Sequence, residues 1–324
     1  MPKKIALIAI GGNALLEAKQ KGLQEEQLEN ARECAEMFAN VIKEGFALCI
    51  VHGNGPQVGN ILVQQDAVAN RIPPYTLDIC VAMTQGSMGY MIERLLLDRL
   101  HQMDMKIPVT TVLTEVLVDN QDPGFLSPTK PVGPFYEELR AHELMKEKGW
   151  RMTEDTGRGW RKVVSSPKPL EIIQFEAIKT LLDTGHCVIA GGGGGIPVIR
   201  DLSGLLVGVE AVIDKDRLSS LLATQLGVHT YVILTSVPKV ALDFGKPTQR
   251  WIDRMTASEA TKHLNEGQFP PGSMGPKIES ALAFIKAGGH EVLITTPEAL
   301  KKEQYDKIGT HIVRDESNPL EPLS

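Results

Sequence analysis

Short apolar runs alternate along the chain with longer segments of helical periodicity. Residues 4–10, KIALIAI, form one continuous apolar run after the first lysine, which is typical of a strand buried on both faces. Residues 24–44 place their apolar side chains on one helical face. The same patterns predict strands over 46–55 (ending in a glycine turn), 107–119, 186–190, 229–235 and 291–296, and helices over 83–100, 171–184, 214–226 and from about residue 277. Repeated strand–helix units predict an α/β fold with a mostly parallel sheet and helices on both faces.

One long segment interrupts this alternation. Residues 122–169 are rich in proline, glycine, lysine and arginine, and they are too many for an ordinary loop. The segment also contains aromatic residues that a solvated, disordered insert would not carry: Phe125, Phe135, Tyr136, Trp150 and Trp160. We therefore expect a small subdomain inserted over one end of the sheet.

Three glycine-rich segments each follow an apolar strand, at residues 8–14, 50–60 and 188–198. The carboxyl ends of parallel strands lie at one edge of a sheet, where ligands bind, so the three turns should converge. Glycine lets backbone N–H groups approach a ligand closely, and the helix N-termini behind the turns favour anions. The five glycines Gly191–Gly195 are thus predicted to form part of an anion site and not a flexible linker.

Composition limits the partners of such a site. The 324 residues suffice for about two domains, and a net charge of -6 argues against non-specific binding to nucleic acid or to an acidic membrane surface. The apolar start of the chain is short and broken by glycines, so it is interpreted as a strand and not as a signal peptide. Cysteines without CxxC spacing predict reduced core thiols in a cytoplasmic protein: Cys34, Cys49, Cys80 and Cys187.

Lysines carry the remaining chemical signal. The P-loop pattern, the GxSxG elbow and HExxH are absent, GNGPQVG is one residue too long for GxGxxG, and the histidines lack metal-ligand spacing. Lys215 stands beside Asp216 at a helix start, and Lys277 falls in the first turn of another helix. A lysine there opposes the helix dipole, so its presence is easier to explain if an anion binds at the same place. Backbone donors, lysines and Mg²⁺ together are what phosphoryl transfer requires, whereas a dehydrogenase has weak support.

Several motifs together resemble the carbamate kinases, a group within the amino acid kinase family. They include IAIGGNAL, VHGNGPQVGN, DPGFLSPTKPVGPFY, GGGGGIPV, VEAVIDKD and GSMGPKIESALAFI, in matching order from residue 4 to about 314. The resemblance implies a three-layer αβα sandwich with a lid subdomain, assembled as a homodimer. It also implies reversible transfer between carbamoyl phosphate and ADP, giving ATP and carbamate, with Mg²⁺ held mainly by the nucleotide phosphates. The expected cellular role is the ATP-yielding step of fermentative arginine catabolism.

The resemblance also implies roles for individual residues. Gly11, Gly12 and Asn13 would bind the phosphoryl group in flight, and Lys215 and Lys277 would stabilise it while Asp216 orients both lysines. Substrate would be bound by Gly53, Asn54, Lys130, Gly191 and Gly192, with Lys130 arriving as the lid closes. The nucleotide would be bound by Thr235, Ser236, Val237, Lys239, Phe244, Lys246, Gly272 and Met274. No protein metal ligand is expected.

The implied organisation has two lobes. Residues 1–225 would form a substrate lobe carrying the lid at about 122–169, residues 226–314 a nucleotide lobe, and residues 315–324 a tail. Pro238, Asp243 and Glu115 depart from the expected pattern. Two alternatives stay open: a kinase of the same family acting on another acid, such as an N-acylated amino acid or a phosphonate, and a non-enzymatic nucleotide-binding or regulatory protein.

Overall fold

The computed structural model describes residues 4–12, 15–16, 20–155, 159–270, 272–302 and 307–315. Asn13 and residues 316–324 of the expected tail therefore lie outside the described residues. The strands are, in chain order, β1 (Ile5–Ile10), β2 (Ala47–His52), β3 (Val109–Thr111), β4 (Glu115–Val118), β5 (Lys130–Tyr136), β6 (Met152–Asp155), β7 (Gly159–Val164), β8 (Pro169–Ile172), β9 (Cys187–Ile189), β10 (Ile196–Arg200), β11 (Leu206–Gly208), β12 (Thr230–Leu234), β13 (Val240–Leu242), β14 (Arg250–Ile252), β15 (Arg254–Thr256), β16 (Glu291–Thr295) and β17 (Thr310–Val313). The helices are α1 (Gln24–Lys43), α2 (Gly55–Ala67), α3 (Leu77–Gln102), α4 (Pro123–Leu126), α5 (Glu138–Lys148), α6 (Phe175–Asp183), α7 (Lys215–Leu226), α8 (Ala257–Asn265), α9 (Met274–Lys286) and α10 (Pro297–Lys302).

The central sheet has the strand order β15-β17-β16-β12-β1-β2-β9-β3. All neighbours pair in parallel except β16 and β17, which are antiparallel. Alternate residues of β1 enter different cores: Leu7 and Ala9 pack with α7 and α9, whereas Ile8 and Ile10 pack with α1 and α3. Because a strand points successive side chains to opposite faces, this continuous apolar strand fills both cores. The predicted three-layer αβα sandwich is confirmed.

The two halves of the sheet come from different parts of the chain. β1, β2, β3 and β9 precede residue 226, whereas β12, β15, β16 and β17 follow it, and the halves join through the parallel pair β1–β12. The predicted lobe boundary therefore coincides with the middle of one continuous sheet. The binding role of each half stays a prediction.

One predicted strand is wrong: residues 107–119 form two strands in different sheets. β3 ends the central sheet, whereas β4 belongs to a second sheet, β11-β10-β4-β8. Between them, the Thr114 backbone N–H donates to the Gln85 side chain at 2.8 Å, and the Thr114 carbonyl oxygen accepts from the Ile196 N–H of β10 at 2.8 Å. The helix predicted over 171–184 likewise begins only at Phe175, since residues 169–172 pair with β4 as strand β8.

The insert forms a compact subdomain, as predicted, which we call the lid; its closure over the site stays a prediction. β5, β7 and β6 make a small antiparallel sheet beside α5, and Tyr136 packs edge-on against Trp150 with ring centroids 6.2 Å apart. The lid rests on α2 through glycines: a Cβ atom added to Gly59 would lie 1.9 Å from the Cα atom of Gly133. This close approach explains why Gly59 lacks a side chain, whereas Gly133 has φ 79°, a left-handed conformation that favours glycine. An ion pair between Lys148 and Asp66 holds the far end of the lid to α2.

Candidate active site

The three glycine turns meet at the carboxyl edge of the central sheet. The Gly53 backbone N–H donates to the Ile10 carbonyl oxygen at 2.8 Å, and a Cβ atom at Gly53 would lie 2.6 Å from the Gly12 amide nitrogen. A Cβ atom at Gly193 would lie 2.2 Å from Nδ2 of Asn54. The turns that follow β1, β2 and β9 thus touch one another. The predicted convergence is confirmed for the described residues.

The penta-glycine segment is a buried, specifically shaped turn. All five glycines are buried, and Gly191, Gly193, Gly194 and Gly195 have φ between 63° and 95°. Residues with a Cβ rarely adopt that left-handed region. A Cβ atom at Gly194 would also lie 2.1 Å from the Ile213 carbonyl oxygen. The linker interpretation is therefore excluded by burial and by close packing.

Side chains from α3 and from the β3–β4 connection form hydrogen bonds to the backbone of this turn. Gln85 Nε2 donates to the Gly192 carbonyl oxygen at 2.9 Å, and Thr114 Oγ1 accepts from the Gly191 N–H at 2.8 Å. Gln85 and Thr114 are themselves joined, because the Thr114 N–H donates to Gln85 Oε1. Buried polar groups that are fully paired fix one conformation. Sequence analysis missed both residues, which lie far from the glycines in the chain.

His52 and Asn54 flank the second turn. The His52 ring is 1% exposed and lies against Gly192, where an added Cβ would be 2.4 Å from Nε2. Burial lowers the pKa of His52 to about 4, although its contact with the Gly53 carbonyl opposes the shift. Asn54 Nδ2 donates to Thr84 Oγ1 at 2.9 Å, so its amide is tied to α3. A neutral histidine and a fixed amide thus support Gly53 and Gly192.

The predicted lysine pair is brought together by one carboxylate. Lys215 is the first residue of α7 and Lys277 the fourth of α9. Lys215 Nζ bonds to Asp216 Oδ1, and Lys277 Nζ donates to Asp216 Oδ2 at 3.2 Å. Asp216 therefore fixes both ammonium groups, one from each side. Because its two oxygens are engaged by lysines, it is an orienting group.

Lys130 of the lid reaches the same place. Its Nζ lies 2.5 Å from Asp214 Oδ2, and Asp214 also caps α7 by accepting from the Asp216 N–H at 2.9 Å. The structure thus places Lys130 beside Lys215, from 85 positions earlier in the chain. Three ammonium groups face two carboxylates here, which leaves one positive charge for an anionic ligand. Sequence analysis did not assign Asp214 a role, although an aspartate just before a helix is a cap signal.

The environment changes the protonation equilibria of this cluster. Burial alone would raise the pKa of Asp216, but the charges of Lys215 and Lys277 outweigh burial and hold it well below its usual value. For Asp214, burial is likewise outweighed by Lys130, so its pKa is lowered. Burial lowers the pKa of Lys215, which Asp216 partly opposes. The two carboxylates are therefore ionised at neutral pH.

The predicted nucleotide residues lie in three places. Thr235, Ser236 and Val237 follow β12, which is parallel to β1, so they lie at the edge that carries Gly11 and Gly12. Gly272 and Met274 are at the start of α9, close in the chain to Lys277.

The other three lie in or next to the β13–β14 hairpin and are engaged elsewhere. Lys239 pairs with Asp253, Lys246 bonds to Asp243 at 3.0 Å, and Phe244 is 56% exposed beside Trp251. Nucleotide contact by these residues stays a prediction.

Two of the unusual positions have structural explanations. Asp243 has φ 51°, a conformation that aspartate and asparagine tolerate better than most residues, and its carboxylate accepts from Lys246 and Thr248. Glu115 bonds to the Gln174 side chain, since its Oε2 accepts at 2.9 Å and its N–H donates at 2.7 Å. Nothing in the structure explains Pro238.

The described part of the chain contains neither a side-chain group that could hold a metal ion nor a helix that could span a membrane. There, no group of three or more His, Cys, Asp and Glu side chains could hold a metal ion. The described helices include none that is long and apolar enough to cross a bilayer. All four cysteines are buried thiols that form no disulfide.

Known proteins resemble this chain over nearly its whole length. The family model that matches residues 4–296 is that of the amino acid kinase family. The carbamate kinase of Thermococcus kodakarensis is 44% identical over 96% of this chain and 100% of its own length. A carbamate kinase-like protein of Escherichia coli, YahI, is 43% identical over 96% of this chain and 99% of its own.

Solved structures of carbamate kinases are also similar to this chain. The carbamate kinase of Giardia lamblia bound to citric acid is 40% identical, with a TM-score of 0.91 over 97% of this chain and 99% of that one. N-acetylglutamate synthase from Neisseria gonorrhoeae, at 15% identity and a TM-score of 0.59, shares the fold alone. The lysine–aspartate cluster, the family match and these relatives lead to one conclusion: the chain is a phosphotransferase that belongs to the amino acid kinase family.

Proposed function

We propose that this protein is a carbamate kinase, which transfers a phosphoryl group reversibly between carbamoyl phosphate and ADP, giving ATP and carbamate. The observation that carries the proposal is Asp216 holding Lys215 and Lys277 from two helices beside the three glycine turns. The 44% identical carbamate kinase relative supports the choice of substrate.

The residues act through position and charge. Backbone N–H groups of the turns would donate to the oxygens of the phosphoryl group, while Lys215 and Lys277 neutralise charge that builds up in the transition state. Lys130 would add a third charge from the lid, and the lid would exclude the water that competes for the phosphoryl group. Gly11 and Gly12 would hold the group in flight, with Asn13 as a further proposed donor. No protein nucleophile is required.

Mg²⁺ fits this site as a partner of the nucleotide. Asp216 is engaged by two lysines and Asp214 by Lys130, so the phosphate oxygens of the nucleotide are the available hard ligands. When bound, Mg²⁺ would neutralise phosphate charge. The carboxylates of this chain would continue to orient the lysines.

The direct test is ATP formation from ADP, Mg²⁺ and carbamoyl phosphate. We expect turnover by the wild-type protein and a loss of about a hundredfold or more in Lys215→Met, because a charge that stabilises the transition state is removed. Lys262→Met, at an exposed position of α8, is the matched control.

A folded protein that phosphorylates an N-acylated amino acid or a phosphonate, and leaves carbamoyl phosphate unused, would contradict the proposal. So would nucleotide binding with no turnover. The test is necessary because this chain is more than 40% identical both to carbamate kinases and to carbamate kinase-like proteins.

We further propose that the protein is a homodimer joined through α3. Ile79, Met83, Tyr90 and Leu97 lie on one stripe of this helix, opposite its buried face, and each is 39% to 62% exposed. A helix that is apolar on both faces generally packs against a partner on each. A self-complementary stripe suits a second copy of the same chain.

Sedimentation velocity tests the dimer. The wild type should sediment as a dimer and Tyr90→Lys as a monomer, whereas Leu139→Lys, at an exposed site on the lid, should not change the state. A monomeric wild type would refute the dimer, and a dimeric Tyr90→Lys would exclude α3 from the interface.

In the cell, we propose a cytoplasmic enzyme that yields ATP at the end of fermentative arginine catabolism. Buried cysteines that form no disulfide suit a reducing compartment. Breakdown of carbamate to ammonia and CO₂ would draw the reaction toward ATP. Cells that lose the gene should accumulate carbamoyl phosphate and gain less ATP from arginine, and unchanged levels of both would contradict this role.

A further inference from the structure

Gln57 carries a buried acceptor with no partner among the described residues. The residue is 8% exposed, and its Nε2 donates to the Gly12 carbonyl oxygen at 3.3 Å. Its Oε1 is buried and accepts no hydrogen bond from any described group. Leaving a buried acceptor unpaired costs free energy, so such an atom in a native site calls for a missing partner.

The orientation of this amide is fixed by its neighbour. The Gly12 carbonyl can only accept, so the nitrogen of the Gln57 amide must face it and the oxygen must point elsewhere. By amide bond lengths the two atoms are about 2.2 Å apart, so Oε1 also lies close to the first glycine turn. The missing partner must therefore be a hydrogen-bond donor.

The position of Gln57 connects two of the converging turns. It lies in the first turn of α2, directly after the β2 turn. That helix start packs on the β1 turn, since a Cβ atom at Gly12 would be 3.0 Å from Pro56 Cδ and 3.1 Å from the Gly55 nitrogen. Gln57 is thus bonded to the turn at Gly12, the proposed phosphoryl site, and lies four residues after Gly53, a predicted substrate-binding residue.

We propose that Gln57 Oε1 accepts a hydrogen bond from the amino group of the carbamoyl substrate and so determines its specificity. This inference rests on the proposed function. Carbamoyl phosphate and carbamate have an NH₂ group that donates, whereas acetyl phosphate has a methyl group at the same place and donates nothing. An acyl phosphate without that donor would leave Oε1 unpaired, and a site built to bond a substrate N–H rejects the analogue that lacks it.

The test compares two phosphoryl donors with ADP as acceptor. We expect the wild type to prefer carbamoyl phosphate over acetyl phosphate in kcat/KM, and Gln57→Met to lower this preference by about tenfold or more. Gln57→Glu keeps an acceptor oxygen and should retain the preference, even where both rates fall. Gln64→Met, an exposed glutamine on the same helix, is the control and should keep both wild-type rates.

The ratio of kcat/KM for carbamoyl phosphate to kcat/KM for acetyl phosphate separates a role in specificity from a role in holding the Gly12 turn. If Gln57→Met slows both donors equally, the residue only holds Gly12 and the inference is overturned. A preference lost in Gln57→Glu as well would also overturn it, which keeps the test valid if the methionine variant does not fold. A wild type that uses no carbamoyl phosphate instead refutes the proposed function, whatever the variants do.

Discussion

His52 should make the protein lose stability in mild acid. Its pKa is about 4 in the folded chain, against about 6.5 for an unperturbed histidine, because the ring is buried against Gly192. Between these two values the unfolded chain binds more protons than the folded chain. The free energy of unfolding therefore rises with pH through this window and is lost as the pH falls from 6.5 toward 4. At about 1.4 kcal/mol per unit of pKa, the loss attributable to His52 is about 3 kcal/mol.

The assay is urea unfolding at several pH values between 7 and 4, followed by circular dichroism at 222 nm. Tryptophan fluorescence is unsuitable, because Trp150 and Trp160 report on the lid and Trp251 on a surface hairpin. We compare the wild type with His52→Gln and His52→Phe, which both lack the ionisable ring. Both variants should be less stable at pH 7, but their free energies of unfolding should fall with acid by about 3 kcal/mol less than that of the wild type.

Comparison with each variant cancels the carboxylates that titrate in every protein of the series. His142→Gln, which removes an exposed histidine of the lid, tests whether losing any histidine has this effect. The reasoning is refuted if wild type and both His52 variants lose the same stability between pH 6.5 and 4.

Other predictions concern the lysines and the supports of the glycine turn. Lys277→Met should lower kcat about a hundredfold or more in the ATP-forming assay, and a near-normal rate would remove it from the transition state. Lys130→Met should raise the KM for carbamoyl phosphate more than that for ADP, and an unchanged carbamoyl phosphate KM would exclude substrate contact. Thr114→Val should cost about 1–3 kcal/mol of unfolding free energy in urea titrations, because it leaves the buried Gly191 N–H without an acceptor. Thr111→Val is the matched control: its hydroxyl is buried without a partner among the described residues, so the change should be neutral or stabilising, and equal losses in both variants would contradict the assigned hydrogen bond.

Local pattern was enough to place much of the site in the chain. The apolar run before Gly11 predicts a strand buried on both faces, and β1 supplies residues to both cores. The lysines at 215 and 277 fall at helix starts, as their surroundings in the sequence indicate. These features depend on neighbours within a few residues, which is the range over which periodicity and helix signals act.

Other features had no local signal. Residues 107–119 are mostly apolar, which predicts a single strand. In the structure, the chain leaves the central sheet at Val112. After that point Thr114 bonds to groups outside the central sheet: its N–H donates to Gln85 of α3, and its carbonyl oxygen accepts from the Ile196 N–H of β10. A hydrogen bond between residues 29 positions apart is invisible to a periodicity argument.

The sequence by itself therefore determined the layers, the glycine turns after the strands and the identity of the charged groups. Tertiary structure alone decided which of those groups meet. Lys130 reaches Asp214 across 84 positions, Asp216 joins two helices, and Gln57 Oε1 is buried without a partner among the described residues. The physical reason is that burial and helix capping act over a few residues, whereas charge pairing and hydrogen-bond satisfaction depend on distances that only the folded chain defines.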